Sequence, residues 1–252
     1  MTLLHTEISG FGDYSTKMKA QDVIGVMSRL FSKFDQMCEQ HGVQKLHTLG
    51  DSYIVMGYTG KVAKDRRTME DAIMEGYNVL QVAMQMLDIV AEERKRINSP
   101  YLKNLDLKVG IHTGRILGGI IGSKIVRYDI FGQDVVVAKN VEQHATVGTV
   151  FVSEQFHNLL KRKPFIWGTF DWDEIKKIKI DFSEKRVTLF RCDKIFAMDG
   201  SSSEELLEQG HDHMATKDMN KLSDRGHYAE EEQEGLKAHP QARVWPEDDF
   251  NG

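Results

Sequence analysis

Three glycine-punctuated segments of the sequence contain the residue types from which a metal and phosphate site could be built. They span residues 7–12, 45–53 and 109–132. Glu7 and Asp51 supply carboxylates in the first two segments, and facing carboxylates suit hard divalent cations that prefer oxygen ligands. The backbone N–H groups of residues 9–12 could cradle a triphosphate beside them. Two ions held in this way can activate a ribose hydroxyl and stabilise a departing pyrophosphate.

The same pattern has a plainer interpretation, because paired acids beside glycines also form ordinary turns. Glu7 and Asp51 are 44 positions apart, so the chemistry depends on whether the fold brings them together. The pattern alone leaves both interpretations open.

Hydrophobic periodicity predicts the elements that would position these residues. Strands are predicted at 2–8, 43–49, 52–56 and 105–112, and helices at 21–38 and 69–96. The order is βαββαβ, a ferredoxin-like unit, so we predict an α+β fold with an antiparallel sheet backed by helices. In that unit the first strand lies beside the hairpin, and Glu7 and Asp51 can converge. His112, on a predicted buried strand, is interpreted as a hydrogen-bonded core histidine.

Composition and charge limit the classes of function. The 252 residues carry a net charge of -5, which argues against a general nucleic-acid binder. Residues 1–196 alternate strand-like and helix-like patterns and are predicted to form one domain, whereas 197–252 form a polar segment that we predict to be largely disordered. No apolar run approaches the roughly 18 residues that span a bilayer. Because a strand opens abruptly at residue 2, we expect a cytoplasmic domain of a longer, membrane-anchored parent protein.

Residues 2 to about 160 resemble the catalytic domain of class III adenylate and guanylate cyclases, segment by segment. The segments that carry the resemblance are 45–51, 109–114, 127–132 and 148–153. The resemblance implies two halves arranged head to tail, with an active site at their interface that makes a cyclic 3′,5′-nucleotide and pyrophosphate. It also implies two divalent ions, Mg or Mn. It assigns Glu7 and Asp51 to the two-metal site as catalytic residues, and we add Ile8 as a metal ligand. The phosphate-binding residues predicted from the glycine-rich turn are Ser9, Gly10, Phe11 and Gly12.

Three departures from the family pattern shape the hypothesis. Family members usually have Asp where this chain has Glu7, and an Asn and an Arg where it has Val136 and Asn140. Losing such a transition-state clamp typically costs on the order of 10² or more in rate. A homodimer would lack the clamp at both sites and should be inactive. The pattern instead resembles the metal-bearing half of a heterodimer, whose complementary half, in the same or another chain, supplies the clamp.

The purine is harder to infer. His47 stands where the family usually has Lys for adenine or Glu for guanine, and Asp129 occupies the second base-reading position. In a metal-bearing half, both positions, together with Val136 and Asn140, belong to a degenerate second pocket. The segment 45–60 is most similar to alveolate membrane guanylate cyclases, which favours GTP slightly over ATP.

Three functions remain open from the sequence. The first is an active half that binds a purine nucleoside triphosphate. The second is an inactive pseudo-cyclase half with a regulatory or assembly role, which Glu7 and His47 would favour. The third is a structural module that uses the cyclase interface for assembly.

Overall fold

The computed structural model describes residues 1–57, 68–97, 100–124, 126–162 and 170–193. Strand β1 (Thr2–Ser9) lies near the middle of its sheet and pairs with an antiparallel strand on each side. The chain continues through helices α1 (Phe11–Lys17) and α2 (Ala20–Gln40), the hairpin β2 (Val43–Leu49) and β3 (Ser52–Gly57), helix α3 (Met69–Ile97), and β4 (Asp106–Thr113). It then forms a ribbon of β5 (Leu117–Ile121) and β6 (Arg127–Phe131), followed by α4 (Gln133–Gln143), β7 (Thr149–Ser153), α5 (Glu154–Leu160), and the hairpin β8 (Asp171–Lys179) and β9 (Arg186–Asp193).

Seven of these strands form one mixed sheet in the order β2-β3-β1-β4-β7-β9-β8, and β5 pairs with β6 separately. Within the sheet, β4 and β7 run parallel and the other neighbours run antiparallel. The order β2-β3-β1-β4 is that of a ferredoxin-like unit. The predicted α+β class and largely antiparallel sheet are confirmed.

Alternation along β1 divides the core between the two faces of the sheet. Leu4 and Ile8 pack with α2 and α3 in the larger cluster, whereas Leu3 packs with Met56, Ile130 and Ala138 on the face that α4 covers. Glu7 shares the odd-numbered side of β1 with Leu3. The face covered by α4 is therefore the one toward which β1 directs Glu7.

A buried carboxylate ties α3 to α2 on the opposite face. The side chain of Glu93 is 1% exposed and accepts hydrogen bonds from Arg29 at 2.7 Å and from Arg96 at 2.7 and 2.9 Å. These bonds hold the pKa of Glu93 down at about 2, despite the burial that opposes them. The positive charges of Arg29 and Arg96 offset the free-energy cost of burying this carboxylate.

The predicted elements of the βαββαβ unit match the observed ones to within three residues. Helix α1 and the β5–β6 ribbon were not predicted. The buried residues of α2 are Val26, Leu30, Phe34 and Cys38, and Ile24 on the same helix is 67% exposed. The predicted boundary at 196 and the predicted disorder of 197–252 lie outside the described residues. Within the described ranges, no helix is both long and apolar enough to span a membrane.

Candidate active site

Glu7 and Asp51 meet where the end of β1 joins the turn of the β2–β3 hairpin. Glu7 pairs with Ser52 in the sheet, and the backbone N–H of Ile8 donates to the Asp51 carbonyl at 3.2 Å. Gly50, with φ of +61°, makes the tight turn that presents Asp51. The pairing of β1 with β3 thus brings together two residues that are 44 positions apart in the sequence, as predicted.

Both carboxylates are half-buried, and neither has an ion-pair or hydrogen-bond partner within the described part of the chain. Unpaired carboxylates at neighbouring backbone positions fit a divalent cation with oxygen ligands. No group of three or more His, Cys, Asp or Glu side chains in the described ranges is arranged to hold a metal ion. The remaining coordination positions would therefore fall to main-chain oxygen, water or substrate phosphate.

Residues 9–12 connect β1 to α1 through a backbone that requires glycine. Gly10 has φ of +81°, and a β-carbon there would lie 2.8 Å from the main-chain oxygen of Asn104. No side chain caps α1, so the first amides of this short helix, at Phe11 and Gly12, have no capping acceptor. These N–H groups point along the helix axis toward its N-terminal end, the direction from which an anion is bound.

Glu142, on α4, is a third carboxylate of this region that the sequence interpretation missed. It is 4% exposed, and its Oε1 has no hydrogen-bond partner among the described residues. Burial raises its pKa to about 7, with the charge of Glu7 as the next contribution and that of Asp51 a smaller one. The helix lies so close to β4 that a β-carbon on Gly110 would be 2.2 Å from the Glu142 nitrogen. An acid inside the apolar run of α4 was the available sequence signal.

His47 and Asp129 lie near each other on the face covered by α4. His47 follows an irregularity in the pairing of β2 with β3, and its buried Nδ1 has no partner in the described ranges. Asp129 accepts hydrogen bonds from the Ile130 backbone and from Arg127, which lower its pKa, and His47 contributes in the same direction. His5, which the sequence interpretation missed, shares a cross-strand row with His47 through Ile54.

Val136 and Asn140 are turned into the protein's own interior. Val136 is half-buried against the cluster formed by α4, β8 and β9. Asn140 is 1% exposed, and its Nδ2 donates to Asp181 Oδ2 at 3.0 Å while its Oδ1 accepts from the Asp181 backbone N–H at 2.9 Å. Asn140 therefore acts as a structural tie between α4 and the loop after β8.

His112 lies in a buried polar group rather than an open site. Its Nδ1 is 2.7 Å from Ser153 Oγ, and its Nε2 lies 3.3 Å from Asp134 Oδ1. Burial lowers the pKa of His112 to about 4, so the ring is neutral at pH 7. Ser153 is fully buried and caps α5 through the Phe156 N–H, so this arrangement cannot act as a nucleophilic triad.

Comparison with known proteins identifies the family of the chain. The model of the adenylate and guanylate cyclase catalytic domain matches residues 1–190. Guanylate cyclase alpha of Plasmodium falciparum is 33% identical over 160 residues, which are 64% of this chain and 4% of that protein. Guanylate cyclase soluble subunit alpha-1 of Rattus norvegicus is 29% identical over 164 residues, which are 65% of this chain and 22% of that protein.

A solved structure of the adenylyl cyclase CyaB from P. aeruginosa has a TM-score of 0.67 at 17% identity, covering 77% of this chain and 94% of that one. At this identity the likeness concerns the fold. The chain spans a small part of the length of the curated relatives. With a family match that extends over most of the described residues, the resemblance inferred from the motifs is confirmed, and the chain belongs to the adenylate and guanylate cyclase catalytic domain family.

Proposed function

We propose that this chain is the metal-bearing half of a heterodimeric purine nucleotide cyclase. The observation that carries the proposal is the pair of unpaired carboxylates, Glu7 and Asp51, at the joined ends of β1 and the β2–β3 hairpin. The reaction converts GTP, or ATP, to the cyclic 3′,5′-monophosphate. The 3′-oxygen of the ribose attacks the α-phosphorus, and pyrophosphate leaves.

The division of roles follows from the residues that are present. Glu7 and Asp51, with a main-chain oxygen at Ile8, would hold two divalent ions. When bound, these ions would promote deprotonation of the 3′-hydroxyl and offset charge on the departing pyrophosphate. The backbone at residues 9–12 binds phosphate oxygens at the start of α1. This half has no cationic clamp at Asn140, so the transition-state charge must be met by the complementary half.

The surface of the described residues supports a requirement for a partner. The β5–β6 ribbon exposes large apolar side chains to solvent, among them Leu117 at 75%, Ile120 at 74% and Phe131 at 47%. Apolar side chains concentrated in one small element are typical of a protein–protein interface. We assign this ribbon to the contact with the complementary half.

GTP is the favoured substrate, because the two curated relatives described above are guanylate cyclases by name. Asp129 and His47, which belong to the second pocket of this half, do not contact the substrate base in this proposal. The complementary half therefore determines which purine is bound.

The test is cyclase activity with Mn²⁺, with GTP and ATP assayed separately. The chain is assayed alone and mixed with a cyclase half that has the family Asn and Arg but neither metal carboxylate. Activity should require the mixture and should be lost in Asp51→Asn, which keeps the side-chain shape and removes the charge. Asp13→Asn is the matched control, because Asp13 is an exposed carboxylate on nearby α1.

An inactive pseudo-cyclase half is the second candidate, and Glu7 is the residue that favours it. One extra methylene moves the carboxylate by roughly a bond length, and metal sites tolerate little such displacement. A mixture that assembles without turnover would favour this candidate. Recovery of activity in Glu7→Asp would then attribute the defect to that methylene.

A further inference from the structure

The turn between β8 and β9 holds a bulky aromatic residue in a strained and fully exposed position. Phe182 has φ of +57°, the one positive value for a non-glycine residue in the described ranges, and its side chain is completely exposed. The turn is closed by a hydrogen bond from the Ser183 N–H to the Ile180 carbonyl at 3.2 Å. Left-handed backbone disfavours a large side chain, whereas Gly or Asn adopts it readily. Nothing in the folding of this hairpin calls for phenylalanine at this position.

The turn is held rigidly on α4 in spite of this strain. Asn140 makes its two hydrogen bonds to Asp181, and Gln133 Nε2 donates to Ser183 Oγ at 2.7 Å. Ile180, 1% exposed, packs beneath the turn in the cluster that contains Val137. Phe182 is thus presented to solvent on a backbone that is fixed on both sides.

A single carboxylate joins this turn to the exposed β5–β6 ribbon. Asp134, in the first turn of α4, accepts from the Arg115 backbone N–H at 2.7 Å, just before β5. Its other oxygen lies 3.2 Å from Lys185 Nζ, just after the turn. The ribbon and the Phe182 turn therefore flank the same end of α4. This is also the helix on which the family resemblance places the clamp residues of the interface.

We propose that Phe182 is an anchor residue that inserts into an apolar pocket of the complementary cyclase half. The inference rests on the proposed function, since it takes the complementary half as the occupant. Aromatic side chains are enriched among residues that dominate binding energy, and a rigid anchor loses little conformational entropy on binding. Asn140 holds the turn that carries Phe182 in place and so contributes to binding of the complementary half. The family resemblance places a catalytic arginine at this position.

The test measures the affinity of the full chain for the half that carries the Asn and Arg. Phe182→Ala and Phe182→Asn should each raise the Kd roughly 10- to 30-fold. Cyclase activity at saturating partner should be unchanged, because Phe182 contacts no substrate. Thermal unfolding should show Phe182→Asn to be more stable than Phe182→Ala, because Asn tolerates the left-handed backbone. Ile24→Ala, a truncation of an exposed apolar residue on α2, is the matched control and should not change the affinity.

Asp181→Ala tests whether the fixed turn matters, because it removes the side-chain acceptor of Asn140 and keeps Phe182. It should also lower the affinity for the complementary half. Wild-type affinity in both Phe182 variants would overturn the inference and leave the proposed function intact. A pair that assembles but makes no cyclic nucleotide would contradict the proposed function, and loss of affinity in the Phe182 variants would still support the anchor. A wild-type chain that does not bind this half would contradict both.

Discussion

Glu142→Gln tests whether the two candidate metal carboxylates share an electrostatic environment with a buried acid. Glu142 has an ordinary pKa of 4.5 and a folded pKa of about 7, raised first by burial and then by Glu7, with a smaller contribution from Asp51. An acid whose folded pKa is raised costs stability once the pH exceeds its unfolded pKa. The cost grows as the pH rises from 4.5 to about 7 and is constant above that value. Glutamine has a similar shape and does not ionise.

The magnitude follows from linkage between folding and proton binding. For these two pKa values, ionisation of Glu142 lowers the wild-type free energy of unfolding by about 1 kcal/mol at about pH 5.5 and by about 3 kcal/mol at about pH 8. Relative to Glu142→Gln, the wild-type free energy of unfolding should therefore fall by about 2 kcal/mol between these conditions. The pH dependence of this difference, rather than its absolute size, isolates ionisation from any packing change.

The assay is urea unfolding of both proteins at the two pH values, followed by circular dichroism. Glu39→Gln is the control, because Glu39 is an exposed glutamate at the end of α2. Excess Mg²⁺ should reduce the pH dependence of the difference in free energy of unfolding between wild type and Glu142→Gln. An ion bound to Glu7 and Asp51 would neutralise charges that help to raise the pKa of Glu142. The substitution Asp51→Asn should reduce the same pH dependence in the absence of Mg²⁺. An equal stability difference at both pH values would refute the raised pKa of Glu142. An unchanged pH dependence in Asp51→Asn would refute a contribution from that carboxylate.

Three further variants test other parts of the structure. Glu93→Gln should destabilise the protein by about 3 kcal/mol at pH 7, because the folded pKa of Glu93 is depressed. Unfolding measured across acid pH should show that this wild-type advantage disappears as the pH falls from 4.5 to about 2. Gly10→Ala should cost about 1–3 kcal/mol in urea unfolding, since φ is +81° and a main-chain oxygen blocks the β-carbon; normal stability would contradict that geometry. Val136→Asn combined with Asn140→Arg should leave the homodimer inactive in a cyclase assay, because Asp181 captures the new guanidinium. Activity should emerge when Asp181→Ala is added.

The parts of the fold predicted from sequence are those that local patterns determine. The apolar spacing from Met69 to Ile97 defines α3, and alternation through β1 and the hairpin predicts the antiparallel pairing. The convergence of Glu7 and Asp51 follows from that topology. Helix α1 was missed because its seven residues follow glycine-rich sequence and contain one buried side chain, Tyr14.

The parts that were not predicted depend on close approach between distant residues. In the sequence, Glu142 resembles an ordinary exposed glutamate on a helix. Its burial depends on Gly110, because α4 lies so close to β4 that a β-carbon at position 110 would not fit. The tie between Asn140 and Asp181 spans 41 positions and joins a helix to a hairpin turn. Neither contact has a periodic signature, because each depends on the packing of α4 against a different part of the sheet.

The environment of Asn140 bears on why catalysis would be divided between two halves. A side chain at this position that reached across an interface would have to leave the contact with Asp181, and the turn that carries Phe182 would lose its tie to α4. The same position therefore cannot both clamp a transition state in a partner and fix this turn. If Phe182 anchors the complementary half, the absence of a catalytic arginine here is the condition for a rigid anchor. In the proposed heterodimer, the difference between the two halves would then have a structural basis in one side chain, independent of which purine is cyclised.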